Sequence, residues 1–301
     1  MTSQVKALKT FLAASGPLAL VEVASAKGST PREKGAAMLV SRTAIHGTIG
    51  GGQLEYMAID KARQMLSPSM RTPFKSRLPA AARAAAAETR ATLDIPLGPE
   101  IGQCCGGRVE VLIRLVDDTL AAELITAAEA EEAQLPQVLI FGGGHVGQAL
   151  AASIALLPVR AVVVETRKAE LEGMPDGVET RLTPMPEEVV RQARPNSAFV
   201  VLTHDHALDF LIVAEALKRG DAAYVGMIGS KTKKATFHNW FLKTAGGSEA
   251  EFSRLVSPIG GDAIKDKRPR VIAALAAAEI MTALVLRAPA VDPARRQRVA
   301  G

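Results

Sequence analysis

The ten residues Val138–Gly147, VLIFGGGHVG, constrain the fold more than any other stretch of the chain. Branched apolar residues run into glycines spaced Gly142-x-Gly144-x-x-Gly147, and a helical pattern follows. A strand that breaks into such a loop and restarts as a helix reads as the first βα turn of a nucleotide-binding sheet. The first glycine permits a tight turn, the second lets a phosphate approach the backbone, and the third lets the helix pack on the strand. The start of that helix favours an anion. His145 stands there, where it can donate a hydrogen bond to a polar ligand or cap its own helix. By itself the stretch fits either a phosphate-bearing ligand or a loop that only packs strand to helix.

The pattern after it supports the sheet. Apolar runs at 137–141, 160–165, 198–203 and 222–228 predict strands, and periodic segments at 145–156, 186–193, 207–219 and 231–243 predict helices. A further helix is predicted over 268–287. Alternating strands and helices imply a parallel, doubly wound sheet. The second strand ends in Glu165, where an acidic residue can accept the ribose hydroxyls of an adenosine; Arg167 could instead serve a 2′-phosphate. The third leads into Thr203-His204-Asp205-His206, and ligands of open α/β sheets bind outside the carboxyl ends of strands. His204, Asp205 and His206 are therefore candidate ligand contacts. As His-x-His with a carboxylate they are also candidate metal ligands. A helix-capping role for Asp205 or Asp209 is the alternative. Gly229 and Ser230, followed by Lys231, Lys233 and Lys234, form a candidate anion site or else open a solvated lysine face.

The first half reads differently. A helix over 4–14 precedes strands at 17–26 and 36–40, separated by the turn-forming run Lys27–Gly35, which holds Arg32 and Lys34. His46–Glu55 is a second glycine-rich loop, feeding a helix over 53–65. Residues 66–86, with Ser, Pro, Arg and an Ala run, read as an excursion. Strands at 89–95 and 108–116 and a helix over 117–132 complete this half. The expected architecture is a smaller N-terminal α+β domain, 1–134, joined to a Rossmann-like domain, 135–301.

Between the last two strands lies Gly102-Gln103-Cys104-Cys105-Gly106-Gly107, which holds the only two cysteines of the chain. Adjacent cysteines do not staple a fold, and no second pair exists for a zinc site. Thiolates bind soft ligands and attack electrophiles, so Cys104 and Cys105 are candidate functional residues. Three polar, glycine-rich loops in one domain suggest a shared site, with Gly50, Gly51, Gly52 and Gln53 as further candidates. Glu55 could act there as an acid or base, or could stabilise its helix.

Composition excludes some partners. Aromatic residues are 4% of the chain, which argues against a stacking surface for single-stranded nucleic acid. A net charge of +5 suits anionic ligands in general without supplying the clustered stripe of a DNA-binding face. The N-terminus shows no signal-peptide pattern. The apolar stretch Val271–Leu286 contains Glu279 and many small residues, and reads as a buried helix rather than a membrane span. A cytoplasmic protein without nucleic-acid or membrane contact is expected, with a frayed tail from Arg295.

Seven segments, GSTPREKGAAMLV, HGTIGGGQLEYMAIDKAR, GQCCGGRVEVLI, VLIFGGGHVGQAL, VVLTHDHALD, YVGMIGSKTKKATF and SPIG, occur in this order. Together they resemble the XdhC/CoxI family of xanthine dehydrogenase accessory proteins, over roughly residues 17 to 285. The resemblance implies an XdhC/CoxI domain followed by a Rossmann domain. It implies binding of the molybdenum cofactor, a molybdopterin carrying molybdenum, in a cleft shared by the cysteine loop, the Gly50–Gly52 loop and the strand ends at Gly142–Gly147 and His204–His206. It further implies that a cysteine desulfurase replaces an oxo ligand with sulfur while the cofactor is held, and that the product passes to the xanthine dehydrogenase apoenzyme. Cys104 and Cys105 would approach the molybdenum. Such a protein is a non-catalytic carrier, and a homo-oligomer is expected. Two departures are Glu165, where Asp is more usual, and the continuation Gly261-Asp262-Ala263 after the SPIG turn. The alternative is an NAD(P)-dependent oxidoreductase built on Gly142–Gly147 and Glu165, and a third reading is a non-catalytic nucleotide sensor.

Overall fold

The computed structural model describes residues 4–67, 88–98, 106–262 and 264–287. Cys104, Cys105, the excursion beyond Ser67 and the tail from Arg295 lie outside the described residues. The chain divides into two compact units between Ala133 and Gln134.

The first unit is built on an antiparallel sheet. Its elements are α1 (Gln4–Ala14), β1 (Ala19–Lys27), β2 (Ala37–Val40), β3 (Ile45–Gly47), α2 (Gly52–Leu66), β4 (Arg90–Pro96), β5 (Arg108–Leu115) and α3 (Asp118–Gln134). The sheet order is β3-β2-β1-β5-β4. Alternation along each strand sorts its side chains to two faces. Ala19, Val21 and Val23 of β1, Met38 and Val40 of β2, and Val109, Val111 and Ile113 of β5 pack with Leu54, Ala58 and Ala62 of α2. On the other face Leu20 and Leu39 pack with Leu8 of α1 and Leu120 and Ala128 of α3. Strand β3 was expected as loop. It forms because the Ser41 hydroxyl accepts from the Thr43 and Ala44 amides, 3.2 and 2.8 Å, and turns the chain back onto β2.

The second unit is the expected parallel, doubly wound sheet. It comprises β6 (Gln137–Phe141), α4 (His145–Ile154), β7 (Arg160–Glu165), a 3₁₀ turn (Lys168–Leu171), β8 (Glu179–Leu182), α5 (Pro186–Gln192), β9 (Ala198–Val201), α6 (His206–Lys218), β10 (Tyr224–Met227), α7 (Lys231–Lys243), α8 (Glu249–Phe252), β11 (Leu255–Val256) and α9 (Pro269–Arg287). The order β11-β10-β9-β6-β7-β8 reproduces, from β6 outward, the 3-2-1-4-5-6 arrangement of dinucleotide-binding sheets. Leu139, Phe141, Phe199 and Val201 face α5, α6 and α7, while Val138, Ile140, Ala198 and Val200 face α4 and α9. Strands covered on both sides read as continuous apolar runs, which is why β6, β7 and β9 stand out in the sequence. The edge strands β8 and β11 do not: all four residues of β8 are exposed, and β11 has two residues.

Helix α9 is long and apolar enough to cross a membrane by length and composition. Its Ala273, Ala276, Ala277, Ile280 and Leu284 are buried in the core with α4. Within it the Glu279 carboxylate accepts from the Tyr224 hydroxyl and the Gly260 amide, both at 2.8 Å. Burial, with this carboxylate beside it, pushes the Tyr224 phenol well above its usual range.

Candidate functional site

Strands β6 and β9 are neighbours, and the chain leaves them toward opposite sides of the sheet, making a topological switch point. The glycine loop sits there. Gly142 has φ +116°, and a Cβ on it would come 2.5 Å from the Leu202 carbonyl at the end of β9. A Cβ on Gly147 would lie 1.9 Å from the Gly142 carbonyl, so only glycine lets α4 begin this close to β6. Gly144 is different. The nearest atom to a Cβ there is a Glu170 carboxylate oxygen at 4.0 Å, which leaves the outer face of this residue open. His145 is exposed in the first turn of α4; Gly144 is the N-cap and the cap has no side-chain hydrogen bond, so His145 does not cap its helix.

Glu165 ends β7 with only 4% of its side chain exposed. The Gly143 amide donates to one oxygen at 2.9 Å. The Thr166 amide, the Thr166 hydroxyl and the Arg167 amide donate to the other at 2.7, 3.1 and 3.0 Å. Burial pushes this carboxyl up, but the four donors outweigh it and hold the group below the usual glutamate range. Arg167, expected as a partner for a 2′-phosphate, lies 3.6 Å from Glu165 and 3.2 Å from Glu170.

At the end of β9 the cluster Thr203–His206 divides into two roles. Asp205 is the N-cap of α6, accepting from the Ala207 and Leu208 amides. His204 and His206 are exposed. Among the described residues no group of three or more His, Cys, Asp and Glu is arranged to hold a metal ion. Ser230 is the N-cap of α7, accepting from the Lys233 amide at 3.2 Å. Lys233 itself corrects the reading of this lysine run as one solvated face or anion site. It is 8% exposed, and its ammonium contacts the fully buried Asp209 carboxylate and the Ile228 carbonyl. Asp209 also accepts from the Thr203 amide and hydroxyl, at 3.0 and 2.6 Å. No sequence signal singled out this pair, because Asp209 and Lys233 lie on different helices.

In the first unit the Lys27–Gly35 run, the Gly50–Gly52 loop and the described ends of the β4–β5 connection lie at one end of the antiparallel sheet, where β1, β3 and β4 end and β2 and β5 begin. The run after β1 lies on the start of the β5 approach: a Cβ on Gly107 would come 2.3 Å from the Ser29 carbonyl. A Cβ on Gly50 would come 2.8 Å from Pro31. The connection bearing Cys104 and Cys105 has its described ends, Gly98 and Gly106, at this same end of the sheet. Gln53 is exposed at the start of α2. Glu55 stands in the first turn of α2. One oxygen accepts from the Thr48 hydroxyl and the Ile49 and Gly51 amides, and so fixes the Gly50–Gly52 loop. His46 turns away from this loop cluster and stacks on Phe11 with ring centroids 5.4 Å apart. Burial lowers its pKa.

Fold and loops define a two-domain protein: a Rossmann domain with its glycine loop intact, preceded by an antiparallel domain that brings two polar loops and the described ends of a third connection to one end of its sheet. Residues 11–72 match the XdhC and CoxI family and residues 138–280 the XdhC Rossmann domain, and the chain belongs to the XdhC and CoxI family. It is 27% identical over 274 residues to the uncharacterized protein YqeB of Escherichia coli, covering 88% of this chain and 43% of YqeB. The chain thus spans less than half the length of that relative. A Bacillus halodurans protein described as a xanthine dehydrogenase shares the fold, with a TM-score of 0.74 at 18% identity over 99% of this chain and 100% of that one.

Proposed function

We propose that this chain is a carrier of the molybdenum cofactor: it holds molybdopterin during sulfuration by a cysteine desulfurase and delivers it to xanthine dehydrogenase apoenzyme in the cytoplasm. The observation that carries this reading is the convergence, in a family member, of the Lys27–Gly35 run, the Gly50–Gly52 loop and both ends of the cysteine connection at one end of one sheet. The donor set suits the group. A thiolate from Cys104 or Cys105 could serve as a ligand toward the metal or toward its incoming sulfur. Separately, the open face of Gly144, at a helix start, offers amides to a phosphate-bearing ligand. The bound cofactor would supply the metal centre that accepts sulfur; this chain's residues would bind it and keep water away.

The test is purification of the chain from cells that make the cofactor, followed by oxidation to the fluorescent pterin derivative. The intact protein is expected to release it, and the Cys104→Ala, Cys105→Ala double variant to release almost none. Full retention by the folded double variant overturns the cysteine assignment. Absence of any pterin from the intact protein overturns the carrier reading.

A further inference from the structure

In sheets of this order an adenosine dinucleotide places its ribose hydroxyls on the acidic residue that ends the second strand, and a 2′-phosphate on a nearby arginine. An ionised carboxylate offers about four acceptor positions. On Glu165, only 4% exposed, the Thr166 and Arg167 amides and the Thr166 hydroxyl crowd one oxygen, the Gly143 amide donates to the other, and Arg167 stands at 3.6 Å. Arg167 in turn faces two carboxylates, Glu165 and Glu170. The turn that follows closes on the loop itself: a Cβ on Gly143 would come 2.4 Å from the Glu170 carbonyl, and the Glu170 carboxylate borders the open side of Gly144.

We infer that the segment Thr166–Leu171 is a specificity element that shuts adenosine dinucleotides out of the glycine loop, with Thr166 and Glu170 as its determining side chains. A ribose would have to reach a buried carboxylate with one oxygen already accepting three donors and the other bonded to the Gly143 amide. A 2′-phosphate would have to draw Arg167 from two carboxylates while approaching both of them. Neither demand falls on a ligand that reaches only the Gly144 face. The inference does not depend on the identity of the carried cofactor.

NADH and NADPH titrated into the full-length protein, followed by nicotinamide fluorescence, test it. The wild-type chain is expected to show no saturation up to about 1 mM of either. Thr166→Val with Glu170→Ala removes the hydroxyl donor and the bordering carboxylate, and is expected to tighten NADH binding by at least about tenfold. Glu170→Gln, which keeps the shape of the turn, should give part of that gain. Micromolar binding of NADH by the wild-type chain would overturn the inference, and so would folded variants that gain nothing. Molybdopterin retention is a separate measurement, so failure here leaves the carrier reading untouched, and failure of that reading leaves this one untouched.

Discussion

The ammonium of Lys233 is buried against the carboxylate of Asp209, and the second oxygen of that carboxylate holds Thr203 at the end of β9. One ion pair thereby ties the β9–α6 turn to the β10–α7 turn. Gly229 makes room for it, since a Cβ there would lie 2.6 Å from Lys233 Cδ.

Removing one partner leaves a buried charge without compensation, which costs about 3–5 kcal/mol. Lys233→Met and Asp209→Asn are each expected to lower unfolding stability by that order in urea titrations. The combined Lys233→Met, Asp209→Asn variant should lose much less than the sum. Additive losses would show that the two groups do not act as a pair.

Glu165 gives a pH prediction with a definite sign. Its folded-state pKa is depressed, so its contribution is fully present above the unfolded value and is lost as pH falls through the folded one. The loss should begin below about pH 4.5 and continue into stronger acid. Glu165→Gln should flatten the stability profile in that window while lowering stability at neutral pH by about 1–3 kcal/mol. Profiles that run parallel below pH 4.5 would contradict the assignment.

Gly147→Ala should be far worse than Gly51→Ala. The first places a Cβ 1.9 Å from the Gly142 carbonyl. The second meets nothing within 4 Å and carries only the strain of φ +73°. The expected cost is about 1–2 kcal/mol for Gly51→Ala and clearly more for Gly147→Ala, read from thermal melts.

Glu55→Ala should loosen the first unit through its loop rather than its core. The Thr48 hydroxyl and the Ile49 and Gly51 amides lose their common acceptor. A stability loss of about 1–3 kcal/mol is expected, with faster proteolysis near Gly50.

The sequence disclosed what depends on local pattern. Strands buried on both faces announce β6, β7 and β9 as apolar runs, and glycine spacing locates the switch point because Gly142 and Gly147 are sterically required. The sequence concealed what depends on distant partners. The exposed ETRL of β8 carries no apolar signal, yet it pairs with β7 along the backbone. Glu165 is read from its spacing as a ribose contact and Glu55 as an acid or base or a helix stabiliser, and each accepts from amides of nearby loops that a linear reading does not bring to it. Lys233 looks like its neighbours Lys231 and Lys234 in a linear reading and differs from them only because Asp209 lies beneath it.

The bond from the Gly143 amide to the buried Glu165 carboxylate also has a consequence for hydrogen exchange. Glycine loops ordinarily open on fast timescales and exchange their amide hydrogens early. Here the loop is stitched to the neighbouring strand by a hydrogen bond to an ion that little solvent reaches. Gly143 should therefore retain its amide hydrogen with the strands on either side of it, which makes the mouth of the sheet rigid before any ligand arrives.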